Sequence, residues 1–264
     1  MSADPRPLVS CIMITRNRAR LARRAVHCFV QQSWPSRELV IIDDGSEDYE
    51  PMLAPYRDRA AIRYRRIPEE PGRRLGGLRN LGLEHASGDW CVQWDDDEWY
   101  HPERVAVQLE ACRSRGLDAV LLRSTLMHID LPAYRGRPYR GANRHGTPGT
   151  IMHRRTELRY RNIPGLEGED SNFRNDLRRR HRVGLLPEPH AHLFIRCYHS
   201  GNTWDLRHFT AYLRRGVPDR LRYLWARYLA RDLFRHPRFR LTPAERETTA
   251  QFLRDSRELG LLGS

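Results

Sequence analysis

The chain has 264 residues, enough for one α/β domain with an appendage and for a real core, so two equal domains are not required. Its formal net charge is +13, and every basic residue is Arg, with no Lys anywhere in the sequence. That excess attracts polyanions, whether nucleotide phosphates, an anionic membrane surface or nucleic acid, and it does not choose among them.

In chain order, residues 8–14 form a short apolar run, broken by Thr15-Arg16-Asn17-Arg18. Leu21, Ala22, Ala25, Val26 and Phe29 follow at helical spacing, and Trp34-Pro35-Ser36 is a turn. Residues 39–42 give the next buried strand, ending in Asp43-Asp44-Gly45-Ser46, and residues 62–64 a weaker third. A loop bearing Pro and Gly, residues 68–77, leads to a helix over 78–85, a strand over 90–94, a helix over 103–115 and a strand over 119–122. Strands alternating with helices of this length imply βαβ units and a parallel sheet. Residues 124–150, with Pro132, Gly136, Pro138, Gly141, Gly146 and Pro148, read as loop. This stretch and Ile151-Met152-His153-Arg154-Arg155 after it are expected to shape one side of a site, where Arg135, Arg137, Arg140 and Arg144 either meet a phosphorylated or acidic group or are simply solvated.

Cys11, Cys28, Cys91, Cys112 and Cys197 lack C-x-x-C spacing and read as small buried residues in a reducing compartment. No apolar stretch is long enough to span a bilayer, and the opening residues lack the regions of a signal peptide. A soluble, cytoplasmic protein is expected, with contact at the inner face of the membrane left open.

Asp95-Asp96-Asp97-Glu98 places four carboxylates after the apolar run Trp90-Cys91-Val92-Gln93-Trp94. Such a cluster repels itself unless a cation sits among its oxygens, and hard divalent ions such as Mg²⁺ or Mn²⁺ accept such ligands, usually with substrate phosphates. The competing reading is an acidic turn with Asp capping the helix near Glu103. In α/β sheets ligands bind at the carboxyl ends of strands, near the reversal of strand order. Thr15-Arg16-Asn17-Arg18, Asp43-Asp44-Gly45-Ser46 and the acidic cluster all sit at such ends, which points to a common ligand.

Three stretches, Val9-Ser10-Cys11-Ile12-Met13-Ile14-Thr15-Arg16-Asn17-Arg18, Gln31-Gln32-Ser33-Trp34 and Glu38-Leu39-Val40-Ile41-Ile42-Asp43-Asp44-Gly45-Ser46, resemble the opening of family 2 glycosyltransferases with the GT-A fold. The resemblance continues through Gly76-Gly77-Leu78-Arg79-Asn80-Leu81-Gly82-Leu83 and Ala86-Ser87-Gly88-Asp89-Trp90 into the acidic cluster. It resumes in Gly165-Leu166-Glu167-Gly168-Glu169-Asp170-Ser171-Asn172-Phe173 and in Tyr198-His199-Ser200-Gly201-Asn202-Thr203. Arg16 stands where relatives usually carry an aromatic, and Glu98 where they usually carry Asp.

The resemblance implies a Rossmann-like central mixed sheet flanked by helices over residues 1–204, with a C-terminal helical extension over 205–264. It also implies metal-dependent, inverting transfer of a sugar from a UDP- or GDP-sugar class donor to an acceptor hydroxyl, in cell-envelope, polysaccharide or glycoconjugate biosynthesis. Position by position, Thr15 and Asp44 lie against the donor base, with Asn17 and Arg18 also on the donor side. Asp95 and Asp96 lie near the ribose and metal, Asp97 ligates Mn²⁺ or Mg²⁺, His199 matches a further metal position, and Arg79 lies near the diphosphate. Asp170, beside Glu169, is the general base. A leaving nucleoside diphosphate gathers negative charge and an attacking hydroxyl must lose a proton, so a cation, an Arg and a carboxylate suit this chemistry independently of the resemblance.

Two other readings weigh against it. A sugar nucleotidyltransferase would carry a Gly-rich phosphate loop after the first strand, and Thr15-Arg16-Asn17-Arg18 has no glycine. A basic nucleic-acid-binding module explains the charge but not four acids at a strand end. In the tail, Leu221, Leu224, Trp225, Tyr228, Leu229 and Leu233 fall on one helical stripe, with Arg220, Arg222, Arg227 and Arg231 elsewhere on the helix. The stripe either packs on the catalytic domain or lies on an anionic membrane, and Phe252, Leu253, Leu259, Leu261 and Leu262 extend the helical appendage.

Overall fold

The computed structural model describes residues 6–134, 136–161, 168–199, 201 and 205–262. Arg135, Gly165, Leu166, Glu167, Ser200, Asn202 and Thr203, which belong to stretches singled out above, lie outside the described residues.

The first half runs β1 (Val9–Thr15), α1 (Ala19–Val30), β2 (Arg37–Asp43), α2 (Glu50–Leu53), β3 (Ala61–Arg66), α3 (Leu75–His85), β4 (Trp90–Gln93), β5 (Trp99–Tyr100), α4 (Arg104–Ser114) and β6 (Ala119–Leu122). The second runs β7 (Ser124–Ile129), β8 (Tyr139–Ala142), β9 (Met152–Arg154), α5 (Glu169–Arg180), β10 (Val183–Leu186), β11 (Phe194–Tyr198), α6 (Leu206–Thr210), α7 (Val217–Leu224) and α8 (Pro243–Glu258). The main sheet has the order β10-β6-β9-β4-β1-β2-β3, and a smaller one the order β5-β11-β7-β8.

β1 pairs in parallel with β2 and β4, and β2 with β3. The chain therefore steps outward from β1 to β3 and returns to the far side of β1 as β4, so strand order reverses between β1 and β4. Val9, Cys11 and Met13 face one apolar cluster and Ile12 another, so β1 is buried on both faces, as a helix-covered parallel strand must be. Gly82 lets α3 come close to that strand: a Cβ there would stand 2.3 Å from Ile12 Cγ2. All five cysteines are buried and none forms a disulfide.

Three expectations are corrected. Residues 124–150 are not simply loop, because β7 and β8 lie within them. β7 is buried along its whole length, so Ser124, Thr125 and His128 face no solvent and the strand has no polar alternation to give it away. Ile151 and Met152 do not shape an acceptor surface: Met152 opens β9, which is antiparallel to both neighbours in the middle of the main sheet, and both residues are fully buried. Gly76 and Gly77 lie in the first turn of α3 rather than in a loop, and a Cβ at Gly76 would stand 2.9 Å from the Arg161 carbonyl.

Beyond residue 204, α8 starts on a Thr242–Glu245 capping box and packs into the catalytic core. Phe252 is fully buried against Trp99, whose indole N–H donates to Asp255 at 2.8 Å. The α7 stripe behaves differently. Val217, Leu221, Leu224, Trp225, Tyr228 and Leu229 are all exposed, Leu229 at 78%. Of the stripe, Leu233 packs on an internal cluster.

Candidate active site

β1, β2 and β4 end on one rim, and residues at or just after their ends line a cavity of about 590 Å³. Its walls include Thr15, Arg18, Asp44, Arg79, Asp95, Asp96, Asp97, Glu169 and Asp170. Nearly every residue expected on the donor and catalytic side thus lines one space. Asn17 does not line it: at φ +50° its side-chain oxygen accepts from the backbone N–H groups of Ser46 at 2.7 Å and Glu47 at 3.0 Å. Asn17 ties the loop after β1 to the loop after β2. His199 comes into reach through Asp97 instead of through the cavity wall.

The acidic cluster does not cap a helix. α4 begins at Arg104, with Glu103 as its N-cap and no side chain capping it, so the helix-capping part of the competing reading of Asp95 to Glu98 fails. Each acid has a distinct environment. Thr15 donates to Asp96 Oδ2 at 2.7 Å, and Arg18 stands 3.6 Å from Asp96 Oδ1 and 3.4 Å from Asp97 Oδ2. Burial, then the neighbouring Asp97 charge, pushes the Asp96 carboxyl up to about 7. Burial also works against Asp97, but the His199 ring at 3.2 Å and the charges of Arg18 and Arg24 outweigh it and hold Asp97 below the usual carboxylate range. Glu98 is buried and accepts from the Cys197 N–H at 2.5 Å, and burial raises it well above its ordinary value. One acid of the run is therefore kept strongly ionised and two are not.

Asp44 is 4% exposed, and no donor among the described residues reaches its Oδ1. A buried carboxylate oxygen left without a donor is costly, so the cavity presents an acceptor where a ligand N–H fits.

Arg79 is also 4% exposed and bridges two acids, at 3.0 Å from Asp95 Oδ1 and 2.8 Å from Asp170 Oδ1. Its guanidinium also lies over the Tyr160 ring. Asp170 sits in the first turn of α5, one residue inside the helix, where Gly168 enters at φ +83°. Burial raises the Asp170 carboxyl above its ordinary value, against the opposing charge of Arg79 and a hydrogen bond from Gln93 at 3.1 Å. A second cavity of about 890 Å³ shares Asp95, Glu98, Gly168, Asp170 and Arg196 with the first. Asp170 thus stands where two cavities meet.

Residues 10–171, more than half of the chain, match the sequence profile of glycosyl transferase family 2. The chain belongs to that family. Among its relatives, the succinoglycan biosynthesis protein ExoO of Rhizobium meliloti is 30% identical over 130 residues, 48% of this chain and 36% of ExoO. EpsE of Bacillus subtilis is 29% identical over 168 residues, 60% of each chain. The family 2 chain thus spans well under two thirds of the length of relatives such as ExoO. Solved structures with the same fold include the S. aureus TarS fragment 1–349 in complex with UDP-GlcNAc, at a TM-score of 0.60 and 14% identity over 97% of this chain and 84% of that one. The mannosyltransferase PcManGT from Pyrobaculum calidifontis, in complex with GDP-Man and Mn²⁺, has a TM-score of 0.55 and 18% identity over 99% of this chain and 77% of that one. The mixed central sheet is therefore that of the GT-A architecture.

Residues that sequence reading passed over also line or brace these cavities. Gln93 reaches both Asp95, at 3.2 Å, and Asp170. Arg196 stands on the wall between the two cavities. Arg74, immediately before α3, lines the donor-side cavity beside Arg73, which Glu70 pairs. Only Arg74 carried a usable signal, as a cation at a helix start beside the acidic cluster.

Proposed function

We propose that this chain transfers a sugar from a nucleoside diphosphate donor to an acceptor hydroxyl, with the donor in the 590 Å³ cavity and the acceptor in the 890 Å³ cavity. The observation that carries the reading is the meeting of the two cavities at Asp170. A base there reaches a hydroxyl on one side while the donor's anomeric carbon lies on the other, the arrangement that attack opposite the leaving group requires. Asp44 Oδ1 receives the base N–H, and Thr15 and Asp96 brace the rim beneath it. Arg74 and Arg18 bring positive charge to the diphosphate.

A divalent cation fits Asp97 with His199, a carboxylate oxygen and an imidazole nitrogen on one spot, in a set that Mg²⁺ or Mn²⁺ completes with substrate phosphates. When bound, it offsets charge on the leaving diphosphate. Arg79 lines the donor cavity as well. Held between Asp95 and Asp170, it orients the base and keeps the Asp95 carboxylate compensated. The test is metal-dependent binding of UDP- or GDP-sugars to the full chain.

The exposed α7 stripe supports a peripheral membrane contact. Arg220, Arg222, Arg227 and Arg231 are exposed around the apolar residues, a combination that seats an amphipathic helix on anionic lipid. Among the described residues no helix is long and apolar enough to cross a membrane. Vesicles containing anionic lipid are expected to sediment the protein, zwitterionic vesicles far less, and L221D/L229D to lose at least about tenfold of the binding. Equal sedimentation with both lipids would contradict the assignment, and self-association abolished by the same pair would give the face to a second copy of the chain.

A further inference from the structure

The 890 Å³ cavity is strongly basic on the side away from the donor. Arg123, Arg144, Arg174, Arg215 and Arg238 line it there, while Arg196 and the cavity's acids, Asp95, Glu98 and Asp170, stand on the wall shared with the donor cavity. Two of the arginines have counter-charges: Asp219 lies 2.6 Å from Arg238, and Glu98 lies 3.8 Å from Arg196. The other four bond to neutral groups or to none that bears charge, as far as the described residues go. Arg174 donates to the Gly146 carbonyl and the Asn175 side chain, Arg215 to the Ala142 carbonyl, and Arg144 to the His145 ring.

Arg174 is the most telling of these. It is 8% exposed, and burying a guanidinium without a counter-anion is costly. Burial lowers its pKa accordingly. An oxyanion entering the cavity would supply the missing charge, and guanidinium forks match phosphate and carboxylate oxygens in pairs. Of the arginines that the sequence offers to a phosphorylated or acidic group, Arg144 lines this cavity and Arg135 lies outside the described residues. Arg140 is instead paired with Glu188 and Glu245, and Arg137 lies over the Phe234 ring.

We propose that the acceptor is anionic: a phosphate or carboxylate group of the acceptor is held by Arg174 together with Arg123, Arg144 and Arg215, while its hydroxyl faces Asp170. This rests on reading the 890 Å³ cavity as the acceptor side.

The test titrates inorganic phosphate, acetate and, at matched ionic strength, chloride onto the full chain, following thermal stability. The exposed-residue variant R123Q/R144Q/R215Q is run beside the wild type, and UDP and GDP binding is measured on both. Saturable stabilisation by phosphate or acetate beyond chloride, weakened at least about tenfold in the variant, is expected. Tighter phosphate binding assigns a phosphate-bearing acceptor, and tighter acetate binding a carboxylate-bearing one. R174Q is expected to weaken the same anion if it folds. Absence of anion stabilisation beyond chloride, or equal anion affinity in the triple variant, overturns the proposal. Failure of the donor reading is a separate result, namely that neither UDP nor GDP binds the wild type.

Discussion

Asp170→Asn should leave donor binding close to wild type and cut transfer by about 10²–10⁴-fold, the range a positioned general base supplies. The amide keeps the shape and one acceptor oxygen for Arg79 and Gln93 but removes the basic site. Arg79 retains Asp95 at 3.0 Å, so the loss of one carboxylate does not strand its buried charge. A melting temperature near that of wild type, measured alongside, separates loss of the base from loss of the fold. Near-normal transfer by the variant would exclude Asp170 as the base.

The same residue sets a pH dependence whose sign is fixed. The Asp170 carboxyl lies above its ordinary value, chiefly through burial. A base must be deprotonated, so transfer falls as pH drops through that raised value. The contribution of Asp170 to stability runs the other way. Its folded form binds the proton more tightly than the unfolded chain does, so this contribution weakens as pH rises through the same window. An activity profile whose acid limb is unchanged in Asp170→Asn would contradict the assignment.

Asp97→Asn should remove the metal dependence of donor binding and reduce affinity for nucleoside diphosphate by more than the roughly 10–100-fold typical of losing an outer-shell partner. Asp97 suits this role because His199, Arg18 and Arg24 keep it ionised, whereas burial pushes Asp96 up to about 7 and raises Glu98 well above its ordinary value. The four acids therefore have unequal parts despite identical spacing. Binding that responds to Mn²⁺ in the variant as it does in wild type would remove Asp97 from the ligand set.

The donor half of the molecule was legible because it obeys local rules. β1, β2 and β4 are short apolar runs ended by polar signatures, and parallel strands buried on both faces write themselves as such runs. The second sheet was not legible, for a physical reason. β11 pairs in parallel with β7 across about 70 residues of intervening chain, and β5 has two residues. Neither pairing leaves a periodicity that a window can detect. Side-chain roles were read less well than side-chain positions. Asn17, expected on the donor side, also ties two loops together, whereas Gln93 looked like an ordinary strand residue and hydrogen-bonds both Asp95 and Asp170. The α7 stripe had the period of a packed helix, but periodicity reports an apolar face without saying what covers it.

The most direct test of the central claim is a thermal-shift titration of the full chain with UDP-sugars, GDP-sugars and their nucleoside diphosphates, each with Mn²⁺ and with chelator. A ligand that binds only the native state stabilises it by about 2.7 kcal/mol at 100-fold above Kd, or about 5–10 °C for a domain of this size. One nucleotide class is expected to give such a shift with Mn²⁺ and a much smaller one with chelator. No stabilisation by any nucleotide sugar in the presence of Mn²⁺ would contradict the account.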